Sequence, residues 1–214
     1  MKSVLKRITP LLSLYRFLWK KKNEFHNWYN IPSYKTKRET ILSVARKYNQ
    51  HTVFIETGTY MGDTVEYVKN QFSKVFSIEL SQELAEKARQ RFSAESKISI
   101  VQGDSETQLG NILHSVNAPC LLWLDGHYSS EFWVGDKYVV TAKGEKETPI
   151  LEELRQVANH SIKNHVILID DARLFVGKND YPPMSELRLF VAANFPGYTL
   201  AVKNDIIRIL PKHG

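Results

Sequence analysis

Cysteine is nearly absent from this 214-residue chain, with Cys120 its single example. A disulfide framework and a cysteine-based zinc site are therefore excluded, and a reducing, cytoplasmic setting fits. Long apolar runs are missing too. Residues 4–19 (VLKRITPLLSLYRFLW) are interrupted by Lys6, Arg7 and Arg16 and are too short to cross a bilayer. No small-residue cleavage site follows them, so a cleaved signal peptide is not expected. Internal repeats, low-complexity tracts and interdomain linkers are absent as well. What remains is a globular mix, 43% hydrophobic and 24% charged. A chain of this length buries one α/β core without needing metals or disulfides to fold.

The formal charge of +6 is unevenly placed. Residues 1–50 carry 12 Lys or Arg against Glu24 and Glu39, a balance of +10, leaving −4 for the rest. With a mildly acidic body, a nucleic-acid groove across the fold is not expected. The basic stretch reads as an aromatic, helical arm (1–37) ahead of a domain at 38–214. Leu11, Leu14, Tyr15 and Leu18 share helical spacing, with Thr9 as a cap and Pro10 in the first turn. Two readings of the arm stand. Its stripe packs on the domain or on a second copy in a homo-oligomer. Alternatively, residues 4–22 lie on the inner face of the cytoplasmic membrane, anchored by Phe17, Leu18 and Trp19.

From residue 38 the chain alternates between two periods. Helices are expected at 38–48, 63–72, 81–92, 104–116, 149–160 and 185–195, and strands at 52–56, 74–80, 98–102, 120–125 and 165–171. Residues 198–210 read as two strands around Lys203-Asn204-Asp205. Such alternation predicts an α/β fold, a mainly parallel sheet covered on both faces. Residues 128–148 form a polar insertion of about 20 residues, long for a plain connection, and read as a lid or acceptor wall. In these sheets ligands sit beyond the carboxyl ends of the strands.

The first strand runs into Glu56-Thr57-Gly58-Thr59-Tyr60-Met61-Gly62-Asp63-Thr64, an E-x-G-x-x-x-G pattern. Tyr60 stands where a dinucleotide motif requires glycine, so a pyrophosphate is disfavoured and a ligand without phosphates is not. Glu79, 23 residues after Glu56, ends the second strand, where an acid can accept both hydroxyls of a ribose. Asp104 and Ser105 follow the third, where Asp104 caps a helix or accepts from an adenine amino group. Asp125-Gly126-His127 ends the fourth strand and Asp170-Asp171-Ala172-Arg173 the fifth. Adjacent strands bring Asp125, Asp170 and Asp171 into one crevice. Their mutual repulsion makes a divalent cation a natural occupant, Mg²⁺ first among hard ions, with Ca²⁺ or Mn²⁺ as alternatives. The other reading has Asp170 and Asp171 as caps, or paired with Arg173 and lysines. His127 is a competent base, a metal ligand or a structural histidine.

Together these elements resemble the class I S-adenosylmethionine-dependent methyltransferases over about residues 38–210. The resemblance implies a Rossmann-like three-layer sandwich with a mainly parallel seven-stranded sheet and a terminal antiparallel hairpin. It implies S-adenosylmethionine as cofactor, held by Glu56, Gly58, Thr59, Gly62, Asp63, Thr64, Glu79, Asp104, Ser105 and Asp125. More narrowly, the pattern is similar to metal-dependent sugar O-methyltransferases of macrolide and aminocoumarin biosynthesis, and more distantly to catechol O-methyltransferase. That likeness implies metal ligands Asp125, Asp170 and Asp171. It also gives His127, with Asp125, the catalytic position that a second aspartate holds in the sugar enzymes. The blocks LDGHYS, TPILEEL and HVILIDDARLF also resemble bacterial methyltransferase-like proteins without an assigned substrate. The expected reaction is methyl transfer to a hydroxyl of a small molecule or glycan, with Arg173 and Tyr181 at the acceptor rim. The alternative is a protein that keeps the cofactor pocket as a binding or assembly module.

Overall fold

The computed structural model describes residues 31–48, 50–126, 131–134, 137–140 and 147–212. Its centre is a seven-stranded sheet in the order β3-β2-β1-β4-β7-β9-β8. The strands are β1 (Val53–Thr57), β2 (Lys74–Glu79), β3 (Ile98–Gln102), β4 (Cys120–Leu124), β7 (Val166–Ile169), β8 (Tyr198–Lys203) and β9 (Ile206–Pro211). Neighbours from β3 to β7 run parallel, and β9 pairs antiparallel with both β7 and β8. The expected α/β class, the parallel sheet and the closing hairpin are all present. β1, β4 and β7 are buried along their whole length, as strands covered on both faces must be, which is why they read as unbroken apolar runs.

Side-chain alternation along the central strands divides the core between two faces. Ile55, Leu122, Leu124, Ile167 and Ile169 face one side, where α4 (Ser105–His114), α5 (Ile150–Asn159) and α6 (Met184–Asn194) bring Leu109, Leu154 and Leu187. Phe54, Leu121, Trp123 and Leu168 face the other, under α1 (Tyr34–Lys47) and α2 (Asp63–Val68) with Ile41, Val65 and Val68. The remaining helix, α3 (Gln82–Arg91), is capped by Ser81, whose side chain accepts from Leu84 N.

Three elements depart from the sequence reading. The helix expected to start at residue 38 begins at Tyr34, one turn earlier. The helix expected over 63–72 changes after Val68 into a 3₁₀ turn, Lys69–Gln71, where Lys69 is tied to Glu66 and Glu95. The insertion contains a two-stranded antiparallel ribbon, β5 (Glu131–Val134) and β6 (Lys137–Val140). In the sequence, β-branched and aromatic residues on either side of Gly135-Asp136 carry the hairpin signal. No described helix is long and apolar enough to cross a membrane. The arm over residues 4–22 lies outside the described residues.

Candidate active site

Strand register assembles the site. Thr57, Leu124 and Ile169 sit level on β1, β4 and β7. The ladder runs one step further, because Asp125 N donates to Thr57 O (3.1 Å) and Asp170 N to Leu124 O (3.1 Å). Gly58, Asp125 and Asp170 therefore leave the sheet side by side. Between β1 and β4 the strand order reverses, the topological switch point where such sheets bind ligands.

The loop after β1 is closed to phosphates by its own hydrogen bonds. The Gly58 and Thr59 amides both donate to Ile78 O (2.9 and 3.2 Å), Gly62 N to Thr59 O (2.8 Å), and Tyr60 N to Glu79 Oε2 (2.7 Å). A pyrophosphate cradle needs such amides pointing outward; here they face inward. Gly58, at φ +86°, is required by neighbouring backbone: a β-carbon there would lie 2.4 Å from Asp125 O.

Around this loop the expected cofactor residues fall into groups. Thr59, Ser77 and Glu56 form a buried relay, with Thr59 Oγ1 2.6 Å from Ser77 Oγ, which donates to Glu56 Oε2 at 2.5 Å. Burial pushes the Glu56 carboxyl up to about 8, with Asp125 and Glu79 adding to the rise and bonds to Ser77 and Thr64 opposing it. Glu79 is buried, and its Oε1 accepts from Ser81 N at 2.9 Å. With backbone amides on both oxygens, the carboxylate is fixed in orientation and keeps lone pairs for ribose hydroxyls. Asp104 caps α4 by accepting at Oδ1 from Glu106 N (2.9 Å). Ser105 is bonded to Glu153, a fully buried acid on α5 that the sequence reading missed. Glu153 Oε1 is buried without a partner among the described residues, 3.3 Å from where a β-carbon on Gly126 would lie. An unpaired buried oxygen beside the switch point, with Glu79 and Asp104 at successive strand ends, fits an adenosine. Asp63 faces elsewhere: it is exposed and paired with Arg91 (2.7 Å) and Arg38 (3.8 Å).

Beyond the switch point lies a dense charge cluster. Asp170 is 2% exposed; its Oδ1 holds Asp171 N (2.8 Å) and its Oδ2 the ammonium of Lys37. Lys37 Nζ is also 3.4 Å from Asp171 Oδ1, which accepts from Arg173 Nη1 at 2.7 Å. Asp205, in the β8–β9 turn, braces Arg173 through both the guanidinium and the main-chain amide (2.7 Å). Tyr181 is buried under the influence of Asp171 and Asp125, with burial the larger cause of its raised pKa. Burial alone would depress the Lys37 ammonium, but Asp170, Asp171 and Asp125 outweigh it and raise its pKa. Burial first, then Asp125 and Asp171, push Asp170 upward against the pull of Lys37.

The register thus brings Asp125, Asp170 and Asp171 together, and adds a lysine that the sequence reading had left in the arm. A divalent metal does not fit this cluster. The Lys37 ammonium lies against both carboxylates, and among the described residues no three His, Cys, Asp or Glu side chains are set to hold an ion. Arg173 pairs with Asp171, as the alternative reading had it, and with Asp205. His127, the expected base, lies outside the described residues. A signal for Lys37 was available: Lys37, Ile41, Val44, Ala45 and Tyr48 form one helical stripe, so the turn before the apolar residues had to face the sheet as well.

No protein-family model matches the sequence, and no curated protein is similar to it by sequence. Solved structures match by shape. The methyltransferase PaMTH1 of Podospora anserina, bound to S-adenosylhomocysteine, superposes with a TM-score of 0.58 at 14% identity, covering 85% of this chain and 80% of its own. The O-methyltransferase TomG of Streptomyces achromogenes, involved in tomaymycin synthesis and bound to S-adenosylmethionine, gives 0.57 at 17% identity, covering 91% and 89%. An O-methyltransferase of Bacillus cereus with S-adenosylhomocysteine gives 0.58 at 14% identity, covering 89% of each chain. An N-methyltransferase and a ribosomal RNA methyltransferase share the architecture, so it does not by itself select an acceptor. The chain has the fold of the class I S-adenosylmethionine-dependent methyltransferases.

Proposed function

We propose that the protein is an S-adenosylmethionine-dependent methyltransferase acting on a hydroxyl oxygen of a sugar or other hydroxylated small molecule. One observation carries this reading. The switch point joins an adenosine-type half, Glu79 and Asp104, to a charged half, Asp125 with the buried Asp170 and Asp171, on neighbouring strand ends, with Lys37 set against the latter pair. When bound, the cofactor supplies an electrophilic methyl group on a sulfonium.

The residues divide the remaining work. Glu79 accepts the ribose hydroxyls and Asp104 the adenine amino group. The inward-bonded loop Gly58–Gly62 leaves room for a nucleoside without phosphates. Asp125 orients the acceptor hydroxyl, and His127 removes its proton as the oxygen attacks. Acceptors that are neutral or cationic suit the cluster, since Asp125, Asp170, Asp171 and Asp205 outnumber Lys37 and Arg173. In this reading the arm lets the enzyme meet a lipid-linked glycan at the membrane surface.

Calorimetric titration of the full chain with S-adenosylhomocysteine tests the first half. Micromolar binding is expected, weakened roughly tenfold to a hundredfold by Glu79→Ala, the scale of a lost charge-assisted hydrogen bond. Absence of binding in the wild type would sink the reading.

A further inference from the structure

The Lys37 ammonium and a divalent cation compete for the same oxygens. Asp170 uses Oδ1 for its neighbour's amide and Oδ2 for Lys37, and Asp171 Oδ1 is shared between Lys37 and Arg173. A Mg²⁺ ion needs oxygens at about 2.1 Å in octahedral array, which these carboxylates cannot offer while the ammonium is seated among them. The ammonium is firmly placed. The Lys37 side chain is only 15% exposed, and one turn below it Ile41 is fully buried in the core. The lysine rides on a helix packed along the sheet, whereas a loop lysine would be free to swing away.

We propose that Lys37 is the resident cation of the active site, bridging Asp170 and Asp171 and donating to the acceptor oxygen, so that methyl transfer needs no divalent metal. The inference rests on the methyltransferase reading and deepens it. An ammonium has three N–H donors. Two meet Asp170 and Asp171, which leaves the third for the acceptor. As the new O–C bond forms and the S–C bond breaks, the hydroxyl proton leaves to water. Lys37 keeps all its protons and stabilises the negative charge growing on oxygen. A metal would supply the same charge stabilisation, but here the cation is covalently part of the chain and cannot be removed by chelation.

Titration of Mn²⁺ alone into the full-length protein, followed by loss of the free-ion paramagnetic resonance signal, tests this without an acceptor. Wild type and Lys37→Arg are expected to leave Mn²⁺ free. Lys37→Ala exposes the carboxylates and binds the ion at least about tenfold more tightly than wild type. Adding Asp170→Asn to the alanine variant abolishes that binding, and Mn²⁺ raises the melting temperature of Lys37→Ala only. Wild-type protein that binds Mn²⁺ as tightly as Lys37→Ala would overturn the proposal. So would a folded Lys37→Ala that binds none. If the alanine variant fails to fold, wild type and Lys37→Arg still decide, because Mn²⁺ binding by either refutes a resident ammonium and its absence in both supports one. Parallel titration with S-adenosylhomocysteine separates the two claims: its failure in wild type defeats the methyltransferase reading, while the Mn²⁺ result judges Lys37 alone. Once an acceptor is found, a chelator is expected to leave turnover unchanged, and Lys37→Ala to lower it about 100-fold.

Discussion

Two buried acids give the folded protein a pH dependence whose sign follows from their surroundings. Burial holds Glu56 up to about 8 and Glu153 up to about 7, against an ordinary value of 4.5. A group whose pKa is raised by folding binds its proton more tightly in the folded state. Its contribution is complete below the unfolded value and is lost as pH rises through the folded one. Buried His165 opposes this trend at lower pH, because burial and its neighbour His160 depress it to about 4 from 6.5. Above pH 6.5 the histidine contributes little slope, and the acids stand out. Between about pH 6.5 and 8 stability is expected to fall by roughly 1 kcal/mol per pH unit for Glu56 alone. Urea denaturation across that window should show a flatter slope for Glu56→Gln. An identical slope in the variant would mean that Glu56 is ionised in the folded protein.

At the scale of elements, the loop after β1 and the end of β4 are locked by contact between backbones. Gly58 combines a left-handed φ of +86° with a carbonyl, Asp125 O, 2.4 Å from where a side chain would begin. Gly58→Ala therefore carries both conformational strain and a forced separation of two strand ends. A loss of about 2–4 kcal/mol is expected in denaturant unfolding, together with loss of S-adenosylhomocysteine binding. A variant within 0.5 kcal/mol of wild type, the range of an ordinary surface change, would show that the loop adjusts freely. The β8–β9 hairpin works at the same scale. Asn204 and Asp205 both take positive φ (55° and 57°), as a two-residue hairpin turn demands. That turn carries Asp205 to the Arg173 guanidinium, so a terminal hairpin helps to hold the cluster at the end of β7.

Over the whole molecule, ligand binding and stability are linked. A ligand at 100 times its dissociation constant stabilises by about 2.7 kcal/mol. For a chain of this length that corresponds to a rise of roughly 5–10 °C in melting temperature. Thermal unfolding with S-adenosylhomocysteine should show it, and NAD⁺ at the same concentration should not, because the amides of the first loop are turned inward. A shift with NAD⁺ alone would reverse the assignment. The uneven charge has a related consequence at this scale. Lys37 counts toward the +10 of the first fifty residues, yet in the folded protein it serves the acidic body.

The alternation of strand and helix was legible because each element buries one face, and burial leaves a period in the residues. The unbroken apolar runs of β1, β4 and β7 marked strands covered on both sides, and the acids at the carboxyl ends of β2, β3, β4 and β7 marked where a site would lie. The ribbon of β5 and β6 was hidden inside a stretch classed by its polarity, although β-branched and aromatic residues on either side of Gly135-Asp136 signal a hairpin. The sequence by itself determined the layers, the strand ends and the acids on them. Only the tertiary structure decided what stands between those acids. Lys37 and Asp170 are 133 residues apart. Local periodicity extends over a few helical turns, whereas a charge pair is fixed by strand register and by the helix that crosses the sheet.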